Sequence, residues 1–325
     1  MEHPLVTAVI LVHNAGPYLL PCLESVASQT WPALEAVVIN NGSTDGAGAG
    51  CDAFASTDPR FSVLHGKNLG STGGRAKGLA AAKGEYVLFV DGDDLLHPRF
   101  VQTLVEACLA AALPAAACRV VPFTGAPPAP DPGAGVLQSF PAPAHLRALL
   151  HNKQVEYSLC NKLYHRSLFA GVPFSCPVKY NEDLYLNWLL LKNAAGLALT
   201  DLGGYFYRQH PASITHRPLE AAFLTEQQWV ASFIRQDAQG TALERSAEAF
   251  YYEKLLYLDS MILRQPRPRP FAALHKGLQK ELRSGLRAAL GMPQLAPALK
   301  LAALAACGCT PAYAFLCRAL LTDRR

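Results

Sequence analysis

The amino-acid sequence predicts an α/β fold, in which a mainly parallel β-sheet is flanked by helices and followed by a helical C-terminal extension. Two observations support this prediction. Across the first 120 residues, short apolar runs alternate with segments of helical periodicity, which is the pattern of a parallel sheet with crossover helices. From Pro218 onward the pattern is helical and is broken by "RQPRPRP" at residues 264–270.

Four apolar runs are the predicted strands of this sheet. They are continuous rather than alternating, as expected for parallel strands that are buried on both faces. They lie at residues 7–13, 35–40, 61–65 and 85–91.

Helices are predicted between these strands. Pro17 opens the first helix, and Leu19, Leu23 and Val26 share one of its faces. Ser71 or Thr72 is expected to cap a helix that runs to Lys83, and a further helix is expected to start at Pro98.

Composition indicates a globular chain. Half of the 325 residues are apolar and 17% are charged, which excludes a disordered protein. The nine cysteines are odd in number and form no C-x-x-C pair, so we expect free, mostly buried thiols in a cytoplasmic protein. The N-terminal apolar stretch lacks a basic region and reads as a strand, and no uncharged apolar run is long enough for a spanning helix.

The second half of the first 217 residues is less regular. Residues 122–144 are rich in Pro, Ala and Gly and are expected to form a loop or a loose hairpin. Mixed structure resumes near residue 145. A helix that begins around Asn181 carries Leu184, Trp188 and Leu191 on one side.

Polar residues follow the predicted strands, at His13-Asn14, Asn40-Asn41 and Asp91–Asp94. Ligands of open α/β sheets bind beyond the carboxyl ends of the strands, so these residues are expected to line one ligand-binding edge. Asp91, Asp93 and Asp94 repel one another unless a cation or solvent relieves the charge. Mg²⁺ or Mn²⁺ with a nucleotide diphosphate would do so, and a solvated turn before the helix at Pro98 is the alternative.

At this point the chain resembles the family 2 glycosyltransferases, which have the GT-A fold, a Rossmann-like α/β arrangement. The matching segments occur in the order of that family and cover about residues 5–215. They are "VILVHNAGPYLLPCLESVASQTWPALEAVVINNGSTDG", the stretch from Asn68 to Asp94, "CNKLYHRSLF", "YNEDLYLNWLLL" and "YFYRQHPASIT".

The resemblance implies how the donor is held. It places the nucleoside diphosphate across the strand ends, with the base near His13 and Asn14, and with ribose and metal at Asp91 and Asp93. Some alignments make Asp94 the direct metal ligand. Further nucleotide contacts are expected from Asn41, Asp45 and Arg75, although Arg75 is equally compatible with a surface position on its helix.

The resemblance also implies the catalytic residues. Asp183 of "NEDLYLNW" matches the general base of the family, with Glu182 positioning the acceptor or its loop. A carboxylate can take the proton of an attacking hydroxyl, and one base facing the anomeric carbon implies single displacement with inversion. The alternative is that both acids merely stabilise a helix start. Further candidates could contact the diphosphate or the acceptor, or they could be structural or merely solvated residues. They are Arg208, His210, His216, and the pair Asn161 and Lys162.

Asn41 stands where many relatives carry an aspartate that accepts from the imide N–H of uracil. An amide oxygen is a weaker acceptor than a carboxylate, and an amide also donates. We therefore expect a relaxed preference for uracil.

These expectations add up to an inverting, metal-dependent glycosyltransferase that uses a nucleotide sugar, with UDP as the expected nucleotide, and a glycan or lipid-linked acceptor. No nucleic-acid partner is expected. The alternatives are a glycosidase, a nucleotidyltransferase and a non-catalytic sugar-nucleotide-binding protein. A glycosidase would work without a nucleotide, a nucleotidyltransferase would produce pyrophosphate, and a non-catalytic protein would bind UDP but release none when offered acceptors.

The expected organisation is a GT-A domain at residues 1–217, with a nucleotide-sugar half at about 1–120 and an acceptor half at about 145–217, and a helical region at 218–325. From Arg264 to the end there are eleven Lys/Arg against two acidic residues. A basic, Leu/Ala-rich region favours contact with the inner face of the cell membrane. Packing against the catalytic domain or within a homodimer is the alternative.

Overall fold

The fold is taken from a computed structural model, which describes residues 3–131, 133, 135–151, 155–210 and 218–320. The chain divides into two compact units, Met1–Arg217 and Pro218–Arg325. They are called the N-terminal unit and the C-terminal unit below.

The first half of the N-terminal unit is a four-stranded parallel sheet. Its strands are β1 (Val6–Val12), β2 (Leu34–Asn41), β3 (Phe61–Gly66) and β4 (Tyr86–Asp91), arranged in the order β3-β2-β1-β4. Each predicted strand agrees with the observed one to within one residue at either end. Almost every residue of β1, β2 and β4 is buried, which explains why these strands read as continuous apolar runs.

The second half extends this sheet with mixed strand directions. The additional strands are β5 (Leu95–Leu96), β6 (Ala115–Phe123), β7 (Leu137–Pro141), β8 (Lys162–His165) and β9 (Gly196–Arg208). The order continues β4-β8-β6-β9-β5, with β7 also paired to β9. Parallel pairing joins β6 to β9, whereas the antiparallel pairings are shorter. The predicted α/β class with a mainly parallel sheet is confirmed.

The segment 122–144 departs from the prediction of a loop or loose hairpin. The end of β6 and all of β7 lie within it. The strand β7 is exposed along nearly its whole length, so it has no alternation of apolar and polar residues for a sequence pattern to reveal. Its backbone pairing with β9 holds it in place, and Pro141 stands at its end, a position where proline is tolerated.

In the part of the chain that the structure describes, six α-helices accompany the sheet. They are α1 (Leu19–Ala27), α2 (Ala47–Ala55), α3 (Gly70–Ala81), α4 (Phe100–Ala111), α5 (Ala144–His151) and α6 (Glu182–Lys192). The predicted face of α1 is buried. Contrary to expectation, no side chain caps α3, because the Ser71 hydroxyl is used elsewhere, and α4 begins at Phe100 rather than at Pro98.

Two glycines bring α3 close to the sheet. A Cβ atom at Gly78 would lie 2.3 Å from Cγ1 of Val9, and one at Gly74 would lie 2.3 Å from Cδ1 of Leu11. Real Cβ atoms do not approach other atoms so closely. Glycine at both positions therefore allows α3 to pack directly on β1 and β2, and this packing carries Arg75 into the interior.

The C-terminal unit is helical, as predicted. It contains α7 (Ala221–Asp237), α8 (Glu244–Arg264), α9 (Ala272–Gly291), α10 (Pro297–Gly308) and α11 (Thr310–Leu320). The long α8 packs against the other four helices, and the proline-rich break falls between α8 and α9. Across the described residues, none of the helices combines the length and apolarity that crossing a bilayer requires. All nine cysteines are free and six are buried, in agreement with the prediction of unpaired thiols.

Candidate active site

The ends of β1, β2 and β4 meet at one edge of the sheet. The parallel register pairs Val12 with Asn40 and Leu11 with Asp91. The chain then turns tightly, with the amide of Asp94 donating to the carbonyl oxygen of Asp91 at 3.0 Å. Gly92 lies so close to β1 that a Cβ atom there would be 3.0 Å from the carbonyl oxygen of Leu11, which explains the glycine within the acidic cluster.

Asp94 faces the interior of this turn. It is 1% exposed. One carboxylate oxygen accepts from the backbone N–H of Arg208 at 2.8 Å, and the other from the Tyr205 hydroxyl at 2.6 Å. Burial, followed by the charges of Asp91 and Asp93, raises its pKa to about 8. Asp94 thereby ties the acidic turn to the end of β9.

Asp93 points the other way and keeps 36% of its side chain exposed. Nε2 of His210 lies 3.1 Å from its carboxylate. Burial and the charge of Asp91 raise the pKa of Asp93, and His210 opposes that rise. Asp93 and His210 therefore form a solvent-accessible pair at the sheet edge.

Arg208 fixes the backbone beside that pair. Its Nε donates to the carbonyl oxygen of Asp93 at 2.8 Å. The guanidinium carbon lies 4.7 Å from the ring centroid of Tyr18 and 4.7 Å from that of Phe123. This arrangement between two aromatic faces is favourable for a cation, and it holds Arg208 against the protein.

Arg75 connects the two acidic groups of the site. It is 3% exposed, and it donates from Nη1 to Asp183 at 3.0 Å and from Nη2 to Asp91 at 2.9 Å. Burial works to lower the pKa of Arg75, but Asp91 and Asp183 outweigh it and raise that pKa. The sequence also allowed Arg75 to lie on the surface of its helix, and its burial excludes that position. The buried thiol of Cys160 lies 3.6 Å from both Nη2 of Arg75 and Oδ2 of Asp91.

The start of α6 supplies the second acidic group. Asn181 precedes it with φ of 68°, a left-handed conformation that asparagine tolerates better than most residues. Asp183 accepts from the backbone N–H of Leu159 at 3.1 Å. Glu182 accepts from the Ser71 hydroxyl at 2.8 Å. Burial and the charge of Asp183 raise the pKa of Glu182 to about 7, and Arg75 opposes this rise.

Asn161 and Lys162 are fully buried. The ammonium group of Lys162 donates to the carbonyl oxygens of Glu156 and Ser158, each at 2.6 Å, and to the side chain of Asn161 at 2.9 Å. Burial lowers the pKa of Lys162 to about 8. Their hydrogen bonds hold the backbone that leads to Leu159 and Cys160.

The loop after β2 is held by its own amides. Oδ1 of Asn41 accepts from the backbone N–H of Leu69 at 2.9 Å, and its Nδ2 donates to the carbonyl oxygen of Gly70 at 3.0 Å. Asn41 is 4% exposed. Both ends of its amide are thus engaged within the protein, a feature that the sequence did not reveal.

Three further candidates lie around this loop. Oδ1 of Asn14 accepts from Thr44 at 2.8 Å, and Asp45 accepts from the backbone N–H of Gly16 at 2.8 Å. These bonds join the loops that follow β1 and β2. His13 is exposed, and its Nε2 lies 3.0 Å from Nδ2 of Asn68.

The structure brings most of the predicted residues to one edge of the sheet, and His216 lies outside the described residues. Sequence reasoning missed several residues that shape the site: Tyr18, Asn68, Ser71, Cys160 and Tyr205. All five lie within segments that carried the resemblance, so their positions were available as a signal. No pattern links Ser71 to Glu182, because the two residues meet only after folding.

The acidic edge suits a divalent cation, although it holds no complete ligand set. Among the described residues no three His, Cys, Asp or Glu side chains form a group that could hold a metal ion by themselves. Mg²⁺ and Mn²⁺ commonly take only one or two carboxylates together with substrate phosphates. Asp91 and Asp93, which are 39% and 36% exposed, provide such oxygens, whereas the oxygens of Asp94 point into the protein.

Comparison with known proteins identifies a family. The family model described as Glycosyl transferase family 2 matches residues 7–171. The chain is 29% identical over 222 residues to the glycosyltransferase EpsH of Bacillus subtilis, an alignment that covers 67% of this chain and 64% of EpsH. It is 38% identical over 103 residues to the glycosyltransferase GlyG of Streptococcus pneumoniae, covering 31% of this chain and 34% of GlyG. The chain thus spans slightly less than two thirds of EpsH.

A solved structure has the same fold. The 1–349 portion of TarS from S. aureus, in complex with UDP-GlcNAc, superimposes with a TM-score of 0.63 at 17% sequence identity. The match covers 97% of this chain and 89% of that chain. At this identity the likeness concerns the fold, and it agrees with the predicted GT-A arrangement.

Proposed function

This chain is a member of glycosyl transferase family 2, and on that premise we propose that it transfers a sugar from a nucleotide sugar to a hydroxyl group of an acceptor. The observation that carries the proposal is the contact of one buried guanidinium, that of Arg75, with both Asp91 and Asp183. A donor-binding carboxylate and a base candidate from separate parts of the chain are thereby held side by side.

We propose a UDP-sugar as the donor. The diphosphate would lie across the strand ends, with the base toward His13 and Asn14 and the ribose toward Asp91. The complex of the structural neighbour TarS with UDP-GlcNAc supports UDP as the nucleotide. Because the amide of Asn41 is engaged with Leu69 and Gly70, we propose that this side chain shapes the base pocket rather than accepting from the base.

We propose that Asp91 and Asp93 hold Mg²⁺ or Mn²⁺ together with the donor diphosphate. The metal ion, when bound, supplies positive charge that neutralises the departing diphosphate. The pKa of Asp93, raised by burial and by Asp91, is consistent with a site that favours an added cation. His210, in contact with Asp93, is positioned to approach the same diphosphate.

Asp183 is proposed as the general base. Its carboxylate takes the proton of the acceptor hydroxyl as that oxygen attacks the anomeric carbon. Arg75 donates to the carboxylate of Asp183 at 3.0 Å and holds it beside Asp91. Attack from the face opposite the leaving diphosphate inverts the anomeric configuration. Glu182, whose pKa is raised to about 7, is proposed to position the acceptor.

The acceptor and the place of reaction are also proposals, and the similarity to bacterial glycosyltransferases supports a role in bacterial glycan synthesis. We propose a growing glycan or a lipid-linked sugar as the acceptor, in the synthesis of a bacterial surface glycan. The reaction is proposed to occur in the cytoplasm, with the chain peripheral to the inner face of the membrane.

The Asp183→Asn variant tests the assignment of the base. It keeps the size of the side chain but cannot accept a proton at neutral pH, so it should bind UDP with Mn²⁺ and lose transfer by a factor of about 10² to 10⁴. Binding is measured by calorimetry and transfer by UDP release in the presence of acceptor. Asp237→Asn in α7 is the matched control. Transfer by Asp183→Asn at the rate of this control would remove Asp183 from its role.

The same assays separate the alternatives. A nucleotidyltransferase would release pyrophosphate instead of UDP. A non-catalytic sugar-nucleotide-binding protein would bind UDP and release none when offered an acceptor. Release of UDP that depends on the acceptor supports glycosyl transfer over both.

A further inference from the structure

The C-terminal unit carries an unusual pair of neighbouring surfaces. Four cations lie on α9 at spacings of four, three and four residues, which places them along one side of the helix. All four are exposed, and we call them the basic stripe: Lys276, Lys280, Arg283 and Arg287. The one acidic residue of α9, Glu281, accepts hydrogen bonds from Gln228 and Tyr251, so the stripe carries four positive charges against one negative charge on this helix.

The exposed residues of α10 are all apolar, and Lys300, which is partly exposed, is the one charged residue of this helix. The exposed residues are Pro297, Ala298, Leu301, Leu304 and Gly308, and we call them the apolar face. Leu301 is 68% exposed and Leu304 is 45% exposed. These two leucines lie three residues apart and so on one side of the helix, and neighbouring exposed apolar side chains are typical of a contact site.

The two surfaces lie on neighbouring helices. The helices α9 and α10 pack together, and both belong to the C-terminal unit. The basic stripe and the apolar face are therefore exposed on adjacent helices of one unit.

We propose that the basic stripe and the apolar face together bind the surface of an anionic lipid bilayer. Cations attract the anionic headgroups, while exposed leucines enter the boundary between headgroups and acyl chains. A second copy of the chain fits less well, since a symmetric pair would bring one basic stripe against another. The inference deepens the proposed place of reaction at the membrane and rests on it.

Co-sedimentation of the full chain with vesicles tests the charge component. Vesicles of phosphatidylglycerol and phosphatidylcholine should pellet the protein, and vesicles of phosphatidylcholine alone should not. The triple variant Lys276→Gln/Lys280→Gln/Arg287→Gln should bind on the order of a hundredfold more weakly. The control Lys83→Gln/Arg99→Gln/Lys192→Gln removes the same charge from exposed positions of the N-terminal unit and should bind like wild type. Equal weakening in both triple variants would overturn the proposal.

Paired leucine variants test the apolar component. Leu301→Gln/Leu304→Gln should lower vesicle binding at least tenfold, because two leucine side chains are no longer transferred from water into the bilayer. Leu20→Gln/Leu109→Gln is the matched control, since these leucines are 54% and 57% exposed on the N-terminal unit. Unchanged binding by the first pair would contradict the proposal.

Two further measurements distinguish lipid binding from self-association and from a loss of activity. Analytical ultracentrifugation without vesicles reports on self-association, and a dimer that only Leu301→Gln/Leu304→Gln dissociates would replace the lipid proposal. Transfer to a soluble acceptor is measured on the same variants and should be unchanged. If the wild-type chain transfers sugar but does not bind vesicles, the proposed lipid-binding surface is refuted and the proposed function stands. If it does not transfer sugar, the proposed function alone is refuted.

Discussion

Arg75 joins chemistry that comes from two distant parts of the chain. Its guanidinium is buried against Asp91 at the end of β4 and against Asp183 at the start of α6. Removing this cation would leave two carboxylates without the buried partner that offsets their charge, which is destabilising. The same contact positions the proposed base, so stability and transfer are both expected to depend on Arg75.

Replacing Arg75 should therefore affect both stability and transfer. Arg75→Met should lower the free energy of unfolding by about 3 kcal/mol or more, because Asp91 and Asp183 lose their buried partner. Chemical denaturation measures this loss, with exposed Arg99→Met as the control. Arg75→Lys keeps the positive charge, but an ammonium group cannot donate to both carboxylates as the planar guanidinium does. This variant should therefore fold, but it should transfer sugar at least tenfold more slowly than wild type. Transfer by Arg75→Lys at the wild-type rate would argue against a role for the simultaneous contact of Arg75 with both carboxylates.

Glu182 should make stability depend on pH. Its pKa in the folded protein, about 7, lies above the ordinary value of 4.5. The stability gained by keeping Glu182 neutral is therefore complete below pH 4.5 and is lost as the pH rises through 7. Glu182→Gln cannot ionise and retains an acceptor for the Ser71 hydroxyl.

Between pH 5 and pH 8 the wild-type protein should lose about 2 kcal/mol of unfolding free energy relative to Glu182→Gln. Urea denaturation of the ligand-free proteins at the two pH values provides the measurement. Glu24→Gln, at an exposed site on α1, is the control and should follow the wild type. A constant difference between wild type and Glu182→Gln across this range would show that Glu182 does not titrate there.

At the scale of elements, α3 decides where Arg75 can lie. Gly74 and Gly78 face the sheet and allow the helix to touch Val9 and Leu11 directly. A side chain at either position would push α3 away from the sheet. The guanidinium of Arg75 would then move relative to Asp91, which is fixed at the end of β4.

Gly78→Ala tests this dependence. The new Cβ atom would meet Val9 at 2.3 Å, so we expect a loss of about 1–3 kcal/mol of stability from overpacking, together with slower transfer. Gly277→Ala on α9 is the matched control, because nothing lies within 4 Å of its added Cβ atom. It should stabilise the chain by about 0.5–1 kcal/mol through helix propensity alone. Stabilisation by both substitutions would contradict close packing at Gly78.

At the scale of the whole molecule, the proposed donor and metal residues belong to the N-terminal unit. They come from the ends of β1, β2 and β4 and from α3 and α6. A ligand that binds there stabilises the folded chain according to its concentration relative to its dissociation constant. Ligand-induced stabilisation therefore reports on the site without requiring knowledge of the sugar or the acceptor.

UDP with Mn²⁺ should raise the Tm of the full chain. At a ligand concentration a hundredfold above the dissociation constant, the gain in the free energy of unfolding is about 2.7 kcal/mol. Asp93→Asn should abolish most of this gain, because Asp93 is a proposed metal ligand with an exposed carboxylate. Thermal scans with UDP alone, UDP with Mn²⁺, and UDP with Mn²⁺ and excess EDTA provide the comparison. The same rise with and without EDTA would mean that UDP binds without the metal.

Much of the fold could be predicted from the local pattern of the sequence. The strands β1, β2 and β4 are buried on both faces, and their continuous apolar runs, like the shorter run of the edge strand β3, predicted each strand to within one residue. In contrast, β7 is exposed and owes its place to pairing with β9, and such long-range pairing leaves no local trace. Glycines on α3 were visible in the sequence, but their contact with the sheet depends on the register of β1 and β2.

The sequence by itself determined the α/β class, the family resemblance and the gathering of polar residues at strand ends, because periodicity and turn chemistry are local properties. Only the tertiary structure decided what those residues do to one another. It turned Asp94 toward Tyr205 and the backbone of Arg208, engaged both ends of the Asn41 amide, and set Arg75 between Asp91 and Asp183. Hydrogen-bond partners and burial depend on residues far apart in the chain, and these meet only when the sheet and its helices have packed.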